Sequence, residues 1–394
     1  MIAVLPKSAA CCGCGACRAA CPVDAIEMKP DKEGFHHPVV DKAKCVNCGK
    51  CAAVCPVLHP GSKREPLAVY AAKAKDDELR RGSASGGVFT VLAQATLARG
   101  GVVFGAGFDH RDWRVIHKAA RNEEELDDLR GSKYVQSDMG DTYAEAKREL
   151  DAGCEVLFSG CPCQIAALRR FLGRDYPNLL TVDLICHGVP SPLAWRKYLD
   201  DRERETKGKI TRILARRYCA WREYAISLAF DNANEIAYSN DVTQDLFMRG
   251  FLGYFFLREC CHKCPFRGFK GCSDITIGDY FRIANEIQGF DDDHGVSAIL
   301  INSERGNLCL GNERVKFEMH KIPIEAAVRD NPPIIYSPKP SRLRREFLNR
   351  IPYETYDSLI KQLLSRRSGS LFMHTLWWLK RLVVNGELNR YSLR

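Results

Sequence analysis

The sequence predicts an α+β module over residues 1–60, followed by a larger domain of the mixed α/β kind. Three observations predict it. Two cysteine runs of one spacing fill residues 11–56: Cys11, Cys14, Cys17, Cys21-Pro22, then Cys45, Cys48, Cys51, Cys55-Pro56. From residue 155 onward, short apolar runs of strand length alternate with helical patterns, as βαβ units do. Between the two parts, Pro60-Gly61-Ser62-Lys63-Arg64-Glu65-Pro66 has the composition of a linker.

Each cysteine run has bacterial ferredoxin spacing, in which three cysteines hold one 4Fe–4S cluster and the fourth crosses to the other. Two-residue gaps let a tight turn aim three thiolates at one corner of a cube, while the fourth, beyond a half-turn and a proline, faces away. The predicted sets are Cys11, Cys14, Cys17 and Cys55 on one cluster, and Cys45, Cys48, Cys51 and Cys21 on the other. A zinc site takes four ligands, usually as two pairs, and has no use for a third cysteine in each run. Disulfides need an oxidising compartment, which nothing in the sequence suggests.

Composition bounds the rest. A chain of 394 residues suits two or three domains. Its 45% hydrophobic content suffices for a packed core, and 27% charged residues argue against general disorder. The first residues lack a signal peptide's apolar stretch and cleavage site, and no uncharged apolar run is long enough to span a bilayer. Nineteen cysteines in that setting point to metal or redox chemistry in a reducing cytoplasm. The formal charge of +9 counts thiols as neutral. Three clusters of about −2 each would lower it to about +3, which weakens a nucleic-acid argument.

Taken in order, residues 67–75 alternate as a strand and lead to Gly82-Ser83-Ala84-Ser85-Gly86-Gly87. A helix pattern over residues 88–99 stops at Gly100-Gly101. Residues 102–108 and 114–118 read as strands, and 142–150 as an amphipathic helix. Residues 156–158 form a short buried strand, 164–172 a helix, and 179–185 a second buried strand ending in Cys186-His187-Gly188. Ser191-Pro192 is an N-cap followed by proline at the first helical position, opening a helix to about residue 205. Residues 210–216, 225–230 and 235–239 look like antiparallel strands, and 275–277 and 296–301 like further strands. These elements divide the large part at residues 67–150 and 151–330, with a proline-containing loop and helical tail at 331–394.

Chemistry-bearing residues collect in two places. Ser83 to Gly87 before a helix is a candidate phosphate cradle, because amides at a helix start favour an anion and glycine permits close approach. A second group is Cys161, Cys163, Cys186, Cys260, Cys261, Cys264 and Cys272, with Cys163 and Cys186 each following a buried strand. Four ligands from three loops could hold a third cluster; Cys12, Cys154, Cys219 and Cys309 read as spare. A dense basic run, Arg212, Arg216, Arg217 and Arg222, reads as an edge strand with a solvated face rather than as an anion or RNA site. Asp291-Asp292-Asp293 reads as a solvated acidic loop.

The stretches Gly82 to Gly87, Gly131-Ser132-Lys133-Tyr134-Val135-Gln136-Ser137, Gly160-Cys161-Pro162-Cys163-Gln164, Cys186-His187-Gly188-Val189-Pro190-Ser191, Cys261-x2-Cys264 and Ser273-Asp274-Ile275-Thr276-Ile277-Gly278-Asp279 occur in this order. Together, over about residues 1–310, they resemble the family of coenzyme F₄₂₀ hydrogenase/dehydrogenase beta subunits, several members of which carry an N-terminal two-cluster ferredoxin module. The resemblance implies an FAD-binding mixed α/β domain with its own 4Fe–4S cluster. Members pass electrons between clusters, flavin and a substrate such as a deazaflavin coenzyme or a chlorophyll-type pigment, and bacterial relatives occur among surface-polysaccharide genes. By matching motif, Ser83, Ser85, Gly86, Gly87 and Gln164 would lie near the flavin, and Lys133, Tyr134 and Gln136 near its ring or the substrate. Cys163, Cys186, Cys261 and Cys264 would hold the third cluster. Relatives often continue Gly-Asp-Phe-Trp-Gly where this chain has Gly278-Asp279-Tyr280-Phe281-Arg282, which leaves substrate identity open.

His187 either gives a proton to a substrate, with Lys133 the other candidate catalytic group, or hydrogen-bonds a cluster thiolate. The expectation is a cytoplasmic iron–sulfur flavoprotein oxidoreductase with a redox partner protein and a small-molecule substrate, coenzyme F₄₂₀ or a polysaccharide-pathway intermediate. The other classes are an electron-transfer subunit whose substrate site belongs to a partner, and a redox-sensing nucleic-acid binder. Residues 371–384, with Trp377, Trp378, Lys380 and Arg381, read as a helix for the core or a homo-oligomer contact, or as one lying on a membrane surface.

Overall fold

The computed structural model describes residues 5–233 and 236–366. The cysteine runs frame a small module in which each run turns at a glycine between its second and third cysteines. Gly15 and Gly49, both at φ 74°, start the short helices Ala16–Ala19 and Lys50–Ala53 in the left-handed conformation that glycine adopts without strain. A hairpin of β1 (Ile26–Pro30) and β2 (His36–Val40) joins the runs. Its turn is held by the Asp31 carboxylate, which accepts from the amides of Glu33 and Phe35. Gly34 in that turn lies against the helix Pro192–Thr206, where a Cβ would stand 2.6 Å from the Leu193 nitrogen. The module is therefore seated on the large part, not tethered beside it.

The large part is built on an eight-stranded sheet. In chain order its strands are β3 (Ala68–Ala74), β4 (Val102–Phe108), β5 (Val115–Ala120), β6 (Val156–Gly160), β7 (Leu179–Leu184), and, after an excursion, β11 (Ile275–Asp279), β12 (Ser297–Ile301) and β13 (Phe317–Lys321). The spatial order is β13-β3-β12-β11-β7-β6-β4-β5. The central strands β4, β6, β7 and β11 are parallel, and antiparallel strands close both sides. Parallel strands covered on both faces need continuous apolar runs. Here Val102, Val103 and Phe104, Val156, Leu157 and Phe158, and Leu179, Leu180 and Val182 are all buried.

Between β7 and β11 the chain leaves the sheet. It forms the helix Pro192–Thr206, a second sheet of β8 (Ile210–Ala215), β9 (Ile226–Phe230) and β10 (Ile236–Asn240), and the helix Leu246–Leu252. Trp195, Tyr198, Phe247, Phe256, Phe347 and Tyr356 pack this unit into one aromatic core. Ser191 caps the first helix as expected, its hydroxyl accepting from the Ala194 amide at 3.1 Å. Sequence reasoning missed β13, because Phe317-Glu318-Met319-His320-Lys321 is a five-residue edge strand with only two apolar side chains among charged and polar ones. It also missed the helices Glu123–Leu129, Leu246–Leu252 and Glu304–Asn312, the first of which is mostly acidic.

Among the described residues, no helix is long and apolar enough to cross a membrane. The stretch 371–384 lies outside the described residues.

Candidate functional site

The parallel register aligns the carboxyl ends of the central strands. Gly160 pairs with Asp183 across β6–β7, and Ile277 with Leu184 across β11–β7. The loops Cys161 to Cys163 and Cys186 to Gly188, with the end of β11 at Gly278-Asp279, therefore open at one edge, where ligands of such sheets bind. A cleft of about 320 Å³ lies there. Ser83, Ser85, Gly87, Lys133, Tyr134, Gln164 and His187 all line it, although they come from four separate segments.

Two expected residues do not line it. The Gly86 amide donates to the Ser297 hydroxyl at 3.0 Å, and a Cβ on Gly86 would stand 2.4 Å from the Ala72 carbonyl oxygen. This glycine lets the loop pass close to β3 and β12, and it does not face the cleft. Gln136 turns to the cysteine-rich module, donating to the Cys12 carbonyl at 2.9 Å and accepting from Arg258 at 2.9 Å. Gln164 lines the cleft fully engaged: its amide oxygen accepts from the Cys161 amide and its nitrogen donates to the Ser137 hydroxyl, both at 2.8 Å. It fixes the Cys161–Cys163 turn at the start of the helix Pro162–Leu172.

Charges in the cleft are set by burial. Desolvation, with Arg217 nearby, pulls the Lys133 amine from its ordinary 10.5 to about 7, and Nζ donates to the Arg130 carbonyl at 2.6 Å. Burial likewise lowers His187 to about 4, so its imidazole is neutral at pH 7. The Tyr134 hydroxyl is buried with no partner. Arg216 and Asp279 also line the cleft, ion-paired with each other. The basic run is thus no solvated face: Arg216 and Arg217 are buried, Arg217 pairs with Asp127, and Arg222 with Asp291 and Asp293. The acids sit far away in sequence, so the pairing could not be read from the run itself. Of the four, Arg212 is exposed.

Against the cleft lies a second cavity, of about 90 Å³, lined by Cys12, Cys163, Cys186, Cys260, Cys261 and Cys264. All four cysteines expected to hold a third cluster are there. Main-chain amides point at the sulfurs, Gly188 to Cys186 Sγ at 3.3 Å and Val189 to Cys261 Sγ at 3.5 Å, a pattern suited to cluster thiolates. The neighbouring Cys161 thiol, 4.0 Å away, brings Cys186 down to about 6. Burial pushes the Cys264 thiol up to about 12. The thiol-rich lining and the amide donors fit a 4Fe–4S cluster. Cys12, which reads as spare, also lines this cavity, its thiol close to those of Cys14 and Cys163.

In the N-terminal module, Cys11, Cys14, Cys17 and Cys55 are buried. The Cys17 thiol feels those of Cys11, Cys55 and, less, Cys51, and the Cys51 thiol feels those of Cys48 and Cys21. The last cysteine of each run therefore stands with the other run's group. Cys45 is half-buried and Cys48 is exposed.

Family models match most of the chain, in order. Residues 69–142 match the N-terminal part, and residues 154–324 the C-terminal part, of the family described as coenzyme F₄₂₀ hydrogenase/dehydrogenase, beta subunit. Residues 10–58 and 37–91 match 4Fe–4S dicluster domains. A curated relative, one subunit of the F(420)H(2) dehydrogenase of Methanosarcina mazei, is 28% identical over 190 residues, 45% of this chain. The match spans 53% of that relative, about half its length. A solved structure, the F₄₂₀-reducing [NiFe] hydrogenase complex from Methanosarcina barkeri, aligns with TM-score 0.47 and 20% identity over 78% of this chain and 94% of its own. With both halves of one family matched in order behind a dicluster domain, the chain belongs to the family of coenzyme F₄₂₀ hydrogenase/dehydrogenase beta subunits.

Proposed function

We propose that this protein is an iron–sulfur flavoprotein oxidoreductase that relays electrons between its N-terminal clusters and a small-molecule substrate. One observation carries the reading: the cysteine cavity and the cleft share a wall. Asp183, Leu184, Ile185, Cys186, Gly188 and Val189 line both, and Cys12 of the N-terminal run lines the cavity's other side. The N-terminal module, the cavity and the cleft are thus contiguous, from the cysteine runs to the sheet edge.

In this reading Cys11, Cys14, Cys17 and Cys55 hold one 4Fe–4S cluster, Cys45, Cys48, Cys51 and Cys21 the second, and Cys163, Cys186, Cys261 and Cys264 the third. FAD in the cleft would convert one-electron supply into two-electron delivery. The chain's own residues would bind, orient and manage protons. The loop at Ser83, Ser85 and Gly87 lines the cleft at the start of the helix Val88–Ala98, where main-chain amides favour a phosphate, while the Ser83 and Ser85 hydroxyls donate to the Leu79 and Val296 carbonyls. Lys133, near neutrality, can hold or release a proton at Nζ, while neutral His187, next to Cys186 in the chain, lines the cleft. Tyr134 brings an unpartnered hydroxyl to the ring or the substrate. Coenzyme F₄₂₀ and a polysaccharide-pathway intermediate are the substrate candidates, and a redox protein is the partner.

Anaerobic purification tests this. About twelve irons and one FAD per chain are expected, with flavin bleaching by a one-electron donor that is lost in Cys163→Ser. Protein with about eight irons and no flavin overturns the reading. A second reading is an electron-transfer subunit whose substrate site lies on a partner, favoured by the M. mazei relative being named a subunit. Turnover of candidate acceptors by the isolated chain separates the two.

A further inference from the structure

Arg258 is 2% exposed, among the largest fully buried side chains of the described residues. Its guanidinium reaches three segments. Nε donates to the Cys11 carbonyl at 2.7 Å, one terminal nitrogen to the Gln136 side-chain oxygen at 2.9 Å, and the other to the His36 carbonyl at 2.9 Å. The group also lies over the Phe35 ring at 5.2 Å and contacts the His37 ring. The fit leaves no room at Gly13, where a Cβ would stand 2.6 Å from the guanidinium. Arg258 is thus the clamp between the Cys11–Cys17 loop and the Cys260–Cys264 segment that it precedes.

The clamp lacks a counter-charge. A buried cation is ordinarily paired with a carboxylate, since burial of an unpaired charge is costly. Among the described residues no Asp or Glu forms an ion pair with Arg258; its partners are carbonyls, an amide and an imidazole. Asp31 joins the network only through the His37 ring, at 3.0 Å. An anionic centre on the Cys11 group is the counter-charge that this geometry accommodates.

We propose that Arg258 is a positioning residue for electron transfer, locking the Cys11 loop against the cysteine cavity and stabilising the reduced, more negative state of the centre held by Cys11. Reduction adds one negative charge, and a fixed cation in a buried site favours it more than solvent cations would. Loss of that charge makes this centre harder to reduce and leaves the exposed centre at Cys45 and Cys48 unchanged. The inference rests on the cluster assignment above.

Anaerobic redox titration of the full-length holoprotein, followed by electron paramagnetic resonance, tests it. Arg258→Met, Arg258→Lys and Gln136→Glu are compared with wild type, with iron counted in each. With iron retained, one ferredoxin centre should shift to a more negative midpoint in Arg258→Met and stay near wild type in Arg258→Lys. Gln136→Glu keeps an acceptor for the guanidinium, gives up the bond to the Cys12 carbonyl and sets a carboxylate beside Arg258, so the same centre should shift the same way. That variant decides the matter if Arg258→Met loses iron. Unchanged midpoints in Gln136→Glu at full iron overturn the inference while leaving the cluster assignment intact. Wild-type protein lacking two ferredoxin-type signals overturns the assignment, and the inference with it, before any variant is made.

Discussion

Arg216 and Asp279 form a two-pronged ion pair at the back of the cleft, Nη1 to Oδ2 at 2.7 Å and Nη2 to Oδ1 at 2.9 Å. Arg216 stands just after β8 and Asp279 ends β11, so the pair ties the excursion back to the main sheet. The carboxylate also accepts from Trp221 Nε1 and the Tyr224 hydroxyl, and the guanidinium lies 3.7 Å over the Tyr224 ring. Burial opposes the charged carboxylate, but Arg216 more than offsets it and holds Asp279 below the usual range.

Removing one partner strands the other charge in the interior. Arg216→Ala should cost about 3–5 kcal/mol of stability, and the double change Arg216→Met with Asp279→Leu distinctly less. Urea unfolding of both variants checks this. Equal losses would mean that the pair's value is packing, not charge compensation.

A carboxylate introduced at the cleft mouth should expel a phosphate-bearing ligand. Gly86 is unsuited to this test, since any side chain there collides with the Ala72 carbonyl and disturbs the sheet. Ala84 lines the cleft and is half-buried, so Ala84→Asp adds charge at the loop without that collision. Loss of copurifying FAD with iron unchanged is expected, by like-charge repulsion where the loop amides attract an anion. Full flavin retention in Ala84→Asp would move the phosphate elsewhere.

How far the sequence is legible depends on how local each cause is. The Ser191 cap and the apolar central strands arise from neighbours in sequence, and patterns show them. Gly86 is recognisable as part of a helix-starting loop, but the reason for glycine is an oxygen on β3, visible only once the sheet is assembled. The same holds for the arginines. Arg216 and Asp279 are 63 residues apart, and Arg258 and the carbonyl of Cys11 are 247 apart. Cys12 reads as spare because it breaks the ferredoxin spacing, yet docking of the module brings it to the second cavity.

That docking makes Cys12 and Cys163 a discriminating pair. Both line the cysteine cavity, but only Cys163 belongs to the proposed ligand set. Cys163→Ser should lower iron from about twelve to about eight per chain, whereas Cys12→Ser should leave it near twelve. Iron analysis of anaerobically prepared protein decides. The reverse result would make Cys12 the ligand and tie the third cluster to the N-terminal module.

Lys133 supplies a pH-dependent test of the cleft. Burial is the largest cause of its fall from 10.5 to about 7; Arg217 and Lys118 add to the fall, and Asp128 and Asp127 oppose it. In the unfolded chain the amine keeps its proton up to about 10.4. Between about pH 7 and pH 10 the unfolded state therefore binds more protons, so this residue's contribution to stability rises with pH. As pH falls through that window a penalty grows, and below it the penalty is constant. Lys133→Met removes the penalty. Relative to wild type, flavin-free Lys133→Met should be stabilised most below pH 7 and progressively less toward pH 10, by urea unfolding at a series of pH values. A difference that stays flat across the window would show an amine solvated like any surface lysine, and its proposed proton-handling near neutrality would fall with it.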